Sequence, residues 1–373
     1  MKRCILTLAF TVWLATTVAW AQDTRPASAI GAPPGPDGTS APASASAPAQ
    51  NSPWTPIPDT ALPEAVGGVK IPRPSAGAFI GIAVDRTNGD VYGVQKRLGV
   101  CKSVDQGATF TPPATAVTSP RAGVMYSFSL NVDPAGKRMA CFVIYATGGI
   151  TTDSGKTWTP FKAGEDMGKY FDFGAVDWEA SGKAILGAIH ESKGKLMLSA
   201  DAGASWTDLG TGFKDKGPIG IFDASTLLAV KSSKGRDLLR STDAGANWTK
   251  VADLPAGKTG QVIYVVKDVA YLMTESGLLV SKDKGVTWAG QGSPVKAAIG
   301  PFFGKDADHL AAVGDDGVYE TADAGKTWRL VAPAAPQMGP RDFTYAWDPI
   351  HDIFYAAQSN KPAVKCAIKA APG

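Results

Sequence analysis

The sequence predicts an all-β fold, a seven-bladed β-propeller with a repeated aspartate turn, closed by an N-terminal strand that completes the last blade. Three observations predict it. First, the pattern Ser/Thr-x-Asp-x-Gly-x-Thr/Ser/Asn-Trp/Phe returns six times, its aspartates Asp105, Asp153, Asp201, Asp243, Asp283 and Asp323 lying 48, 48, 42, 40 and 40 residues apart. A period of roughly 40 to 50 residues filled with short strands is the spacing of propeller blades. Second, another turn recurs ahead of these boxes, at Val84-Asp85, Val132-Asp133, Val176-Asp177, Phe222-Asp223, Lys267-Asp268, Lys305-Asp306 and Trp347-Asp348, which makes seven inner strands rather than six. Third, Pro53-Trp54-Thr55-Pro56 imitates Thr157-Trp158-Thr159-Pro160, the start of an outer strand.

From the N-terminus, Met1-Lys2-Arg3, the apolar stretch Ile5 to Val18 and Ala19-Trp20-Ala21 read as a secretory signal peptide, residues 1–21, with a small-x-small cleavage site. No other stretch reaches the ~18 apolar residues of a membrane span, so no transmembrane segment is expected after cleavage. Residues 22–52 are Ala, Pro, Ser and Gly with almost no large apolar side chain. Such a segment buries too little surface to offset chain entropy and reads as a disordered tether. Residues 53–373 form the propeller. In each box Asp accepts hydrogen bonds from turn amides, Gly permits positive φ, and the following Trp or Phe opens the outer strand and anchors it, its indole N–H finding a backbone acceptor. The last blade offers strands near 342–347, 353–358 and 363–369, with neither a box nor a fourth strand, so the segment around Trp54 is expected to supply it. Closing the ring removes two exposed strand edges.

Once Lys2 and Arg3 leave, 35 basic residues face 34 acidic ones, which argues against wholesale nucleic-acid binding. A monomer in the periplasm or outside the cell is expected. Cys101, Cys141 and Cys366 remain after cleavage; Cys101 and Cys366 hold similar places in the first and last blades, so the alternatives are a ring-closing bridge or free buried thiols. No cluster with metal-ligand spacing and no phosphate-cradling glycine loop occurs, so neither metal nor cofactor is expected.

In a propeller, the connections leading into the inner strands crowd around the channel mouth. Six of the seven carry a basic residue. Such a ring focuses positive potential and would draw an anion. The candidate ligand-binding residues are Arg121 and Arg341, whose guanidinium forks suit carboxylate or phosphate, with Lys169, Tyr170, Lys216, Lys258 and Lys296. Tyr126, Tyr170 and Tyr345 are placed to stack on a sugar or aromatic group.

The boxes resemble the Asp-box, or BNR, repeat of sialidases, sortilin-type receptors, xyloglucan hydrolases and photosystem II assembly factors. The resemblance implies that the box aspartates are structural and lie opposite the functional face. Sialidase likeness implies an arginine triad, a Tyr–Glu nucleophile pair and an acidic Asp, for which Arg121, Arg341, Tyr345, Glu191 and Asp172 make a partial set. A third arginine is not evident, and Lys70-Ile71-Pro72 carries lysine where that family has arginine. Those enzymes are also six-bladed. A polysaccharide lyase would use His190 as base near Tyr170, whereas His309 and His351 fall in turns on the opposite face. Likeness to the assembly factors implies a non-catalytic scaffold that recognises a protein or an anionic ligand, including an acidic saccharide, on the channel face. The alternative is a glycosidase or lyase acting on acidic saccharides.

Overall fold

The computed structural model describes residues 52–62, 65–66, 69–70, 79–95, 98–112, 128–144, 147–162, 170–231, 235–336, 343–358 and 361–368. These residues form an all-β, seven-bladed propeller whose one helical element is a 3-10 turn at Asp59–Ala61. No helix among them is long and apolar enough to cross a membrane.

Each blade is an antiparallel meander. Its inner strand begins near the channel mouth and ends on the recurring aspartate turn. The inner strands are Gly81–Asp85, Phe128–Val132, Phe171–Val176, Ile219–Ile221, Tyr264–Val266, Ala297–Phe303 and Phe343–Asp348, in blades 1 to 7. Six blades have four strands. Blade 1 departs from the expected four: among the described residues it has three strands and, in place of the fourth, a single antiparallel bridge from Lys102 to Thr111.

Seven hydrophobic clusters fill the described core, each lying between consecutive blades. Strands buried on both faces explain the near-continuous apolar runs, such as Met139–Val143, buried throughout. The N-terminal segment contributes to two of these clusters. Trp54 packs between blades 6 and 7, and Ile57, Ala61 and Leu62 pack between blades 7 and 1. Thr55 and Pro56 pair with Lys365 and Val364, giving blade 7 its outer strand as expected. The Trp54 indole N–H also donates to the Pro333 carbonyl of blade 6 at 2.9 Å. The seventh blade is thus completed by the chain start, and ring closure is a matter of pairing, packing and one directed hydrogen bond.

Of the two cysteine alternatives, the free thiols are found. Cys101, Cys141 and Cys366 are all buried and free, and Cys101 and Cys366 belong to different core clusters.

Candidate functional site

The two ends of the channel are chemically different. At one end lie the boxes. In blade 1 the Ser103 hydroxyl donates to Asp105 Oδ1 at 2.7 Å and accepts from the Gly107 amide at 2.8 Å. Thr109 donates its amide to Oδ1 and its hydroxyl to Oδ2, at 2.9 and 2.6 Å. Every other copy repeats these four bonds, with Asn247 amide replacing the hydroxyl in blade 4. Thr157 and Thr287, each through hydroxyl and amide, hold Asp153 and Asp283 at about 2, well below the usual carboxylate range.

The residue between Asp and Gly was not anticipated as special. Yet it too is left-handed, with φ of 57° at Gln106 and 82° at Gly107, so the pair makes a type I′ turn closed by the Ala108 amide on the Asp105 carbonyl at 3.2 Å. At Ser154, Ala202, Ala244 and Ala324 the amide of that residue donates to the inner turn of its own blade, to Lys137, Lys183, Ser225 and Asp308. The boxes and the inner aspartate turns therefore occupy one end, away from the connections that carry the candidate ligand residues. Indole N–H groups find backbone acceptors at Trp248 and Trp288, whereas those of Trp206 and Trp328 are buried with none among the described residues.

The inner turns form a second set of capped aspartates. Asp85, Asp133, Asp177 and Asp348 are buried, and each is engaged by its own turn. Arg86 follows the first of them and crosses between blades. Its Nε donates to the Pro134 carbonyl of blade 2 at 2.8 Å and its Nη1 to the Gly304 carbonyl of blade 6 at 3.0 Å. Glu179 of blade 3 accepts the Lys267 amide of blade 5. These two ties skip blades and draw this end of the channel together. Burial lowers the Arg86 pKa, against the pull of Asp133, Glu179, Asp85 and Asp306.

Arg86 lines a cavity of ≈ 130 Å³ that opens to solvent. Its walls are apolar and aromatic, with Tyr264, Phe302, Phe303, Tyr345 and Trp347 among them. Burial pushes the Tyr264 and Tyr345 phenols up to about 12, so both stay neutral.

At the channel mouth the predicted residues separate. Arg121, Arg341, Lys169 and Tyr126 lie outside the described residues, as does the Ile71-Pro72 part of the Lys70 motif. Lys216 and Lys296 are exposed and make no ion pair among the described residues. Lys258 is held by Asp315 at 2.9 Å and Glu275 at 3.5 Å, carboxylates of blades 6 and 5. Tyr345 lies in the channel wall, 9% exposed, and Glu191 sits at an exposed hairpin tip that is not part of the cavity lining.

Asp172, His190 and Glu191 do come together. His190 Nδ1 lies 2.8 Å from the buried Asp172 carboxylate, its Nε2 lies 3.7 Å from Glu191, and its amide donates to the Tyr170 carbonyl at 3.0 Å. The pair fixes the orientation of the imidazole ring. His309 and His351 are at the other end, on Glu320 at 2.7 Å and Asp348 at 2.6 Å. The hairpin carrying His190 is bonded onward, the Gly212 and Phe213 amides meeting the Lys193 and Gly194 carbonyls and Lys214 meeting Val230. Blades 3 and 4 thus share a continuous ledge on which Lys193, Lys216 and Lys231 are exposed. Neither this ledge nor Arg86 was visible in the sequence, because both depend on contacts between separate blades.

Residues 221–347 match the family model of the DUF6242 β-propeller domain. No curated protein matches the chain. Among solved structures, YCF48 bound to D1 peptide superposes with a TM-score of 0.54 at 13% identity, over 88% of this chain and 99% of that one. The C-terminal WD40 domain of Sif2 gives 0.52 at 11% identity, over 79% and 96%. YCF48 from Cyanidioschyzon merolae gives 0.48 at 17% identity, over 84% and 98%. At such identities the likeness to the first two is one of fold, in keeping with the β-propeller.

Proposed function

We propose that the chain is a binding or assembly scaffold, exported to the periplasm or beyond by its first 21 residues, that recognises a protein or an anionic ligand on its channel face. The observation that carries this reading is the separation of Tyr345 from Glu191, the two halves of the nucleophile pair. A Tyr–Glu nucleophile pair needs hydrogen-bond reach. Tyr345 instead sits in the channel wall as a neutral phenol, and Glu191 projects from an exposed hairpin tip. What blades 3 and 4 offer is a backbone-locked ledge with exposed lysines, the sort of rigid platform that lowers the ordering cost of binding. That the fold carries a peptide in YCF48 is in keeping with a protein partner.

A second reading rests on the Asp172–His190 pair, an oriented imidazole able to accept a proton in a lyase or glycosidase acting on acidic saccharides. One experiment separates the two. Sialosides and uronate oligosaccharides are screened for turnover and, in parallel, for binding, with wild type, Arg121→Ala, Arg341→Ala and His190→Ala. The scaffold reading expects no turnover, and binding that weakens in the arginine variants. Turnover that His190→Ala abolishes, while binding persists, establishes the enzyme.

A further inference from the structure

We infer that the channel cavity beside Arg86 is a binding site for a small carboxylate with an apolar or single-ring body, its anionic end held by the Arg86 guanidinium and the Tyr264 hydroxyl.

The inference starts from which polar groups in the cavity are already committed. Asn131 and Asp133 line it as acceptors, but both are occupied. Asn131 Oδ1 takes the Trp178 indole at 2.5 Å, and Asp133 takes the Ala135 amide at 2.8 Å and Arg138 at 2.5 Å. Arg86 is different. Two of its N–H groups go to backbone carbonyls, and the rest of the fork has no acceptor among the described residues. No carboxylate stands within ion-pair distance of it there, although Asp133, Glu179, Asp85 and Asp306 lie near enough to influence it. Each of those four is engaged elsewhere: Asp133 as described, Asp85 on the Thr87 and Lys137 amides, Asp306 on the Asp308 and His309 amides, and Glu179 on the Lys267 amide. A half-buried guanidinium is thus fixed by two carbonyls and by the Phe303 ring, 5.9 Å away, and is left without a contact anion. A fork with free donors is the group that carboxylates meet best.

Tyr264 makes no hydrogen bond among the described residues through its hydroxyl, which burial keeps protonated. The cavity therefore presents these donors, has its Asn131 and Asp133 oxygens committed, and is otherwise walled by Phe302, Phe303, Tyr345, Trp347 and aliphatic side chains. Size narrows the ligand. An apolar cavity of about 150 Å³ takes benzene, so ≈ 130 Å³ suits a single ring or a short branched chain. This site lies apart from the lysines at the channel mouth and does not depend on the scaffold reading.

The test uses the purified full chain. Binding of benzoate and of its neutral analogue benzamide is followed by ligand-observed saturation-transfer NMR and by the shift in Tm. Benzoate is expected to bind saturably at millimolar concentration and to raise Tm, with benzamide at least roughly tenfold weaker, as loss of a charge-assisted bond implies. Tyr264→Phe keeps the ring and is expected to weaken benzoate about threefold to tenfold. Arg86→Gln is expected to reduce benzoate binding to the level of benzamide. Because Arg86 also ties blades together, Tyr264→Phe carries the test if Arg86→Gln fails to fold. Absence of saturable benzoate binding, equal affinity for benzamide, or full benzoate affinity in Tyr264→Phe overturns the proposal.

Discussion

At the scale of single residues, the box is a device for holding a charge at a turn. Each aspartate accepts a backbone amide and a hydroxyl, or in blade 4 the Asn247 side-chain amide, from the residue four positions on, and a hydroxyl from the residue two positions back. All of these bonds favour the carboxylate over the carboxylic acid. Asp283 is held at about 2, whereas an unfolded aspartate titrates near 3.9, so the folded state binds its proton less readily. The sign follows. The stabilisation is fully present above about pH 4 and is lost as pH falls through about 2. Asp283→Asn preserves the shape and removes the charge. The Tm difference between wild type and this variant is expected to stay constant from pH 7 to about 5 and to shrink steadily toward pH 2. A difference that does not change across that range means the carboxylate is not what the turn depends on. These aspartates were legible in the sequence because spacing alone defines them. The left-handed neighbours Gln106, Ser154, Ala202, Ala244, Lys284 and Ala324 were not, since none of these residue types announces positive φ.

At the scale of elements, closure rests on the short strand Thr55–Pro56 supplied by the N-terminal segment. It pairs through only two residues, Thr55 and Pro56, so its hold cannot come from the ladder alone. Packing supplies the remainder. Trp54 is 4% exposed and joins blades 6 and 7, while Leu62 and Ile57 are almost wholly buried between blades 7 and 1. Trp54→Ala is expected to cost about 3 to 5 kcal/mol, as truncation of a buried aromatic does. Trp54→Phe, which keeps most of the packing and loses the bond to Pro333, is expected to cost about 1 to 2 kcal/mol. Deleting 53–72 is expected to lower Tm far more than deleting 22–50; thermal melts of the four variants rank these effects, and equal losses from the two deletions contradict ring closure by this segment. The closure was readable because Trp54 sits in a tetrapeptide that copies an outer strand. Blade 1 was misjudged for the converse reason. Its Phe110 fits the box, but the Phe110 amide bonds to the Ala61 carbonyl of the N-terminal segment, and among the described residues Thr111 alone continues the sheet.

At the scale of the whole molecule, what the sequence could count it could not pair. Seven blades followed from periodicity, a property of the chain taken in order. The chemistry of the channel depends on which blade faces which: Arg86 meets carbonyls 48 and 218 residues away, and Lys258 meets Asp315 at a separation of 57. Six basic lead-in connections therefore read as a ring of positive potential, yet among the described members Lys258 is neutralised by two carboxylates, and Lys195 of the nearby ledge by Asp208 at 2.7 Å. With a formal charge of only +3 over the full sequence, any attraction for an anion has to come from local cations left without a partner. Lys216 and Lys296 are of that kind. Association of the chain with an acidic polymer such as polyglutamate, measured by stopped-flow mixing at low salt, is expected to slow by roughly tenfold in Lys216→Glu/Lys296→Glu, with the difference vanishing as salt approaches ~1 M and the Debye length falls to ~3 Å. Lys258→Gln is expected to change the rate far less, because it removes one unit of charge where the double variant reverses two. If Lys258→Gln instead slows association as much as the double variant does, attraction is centred on Lys258 and its surroundings, and not on Lys216 and Lys296.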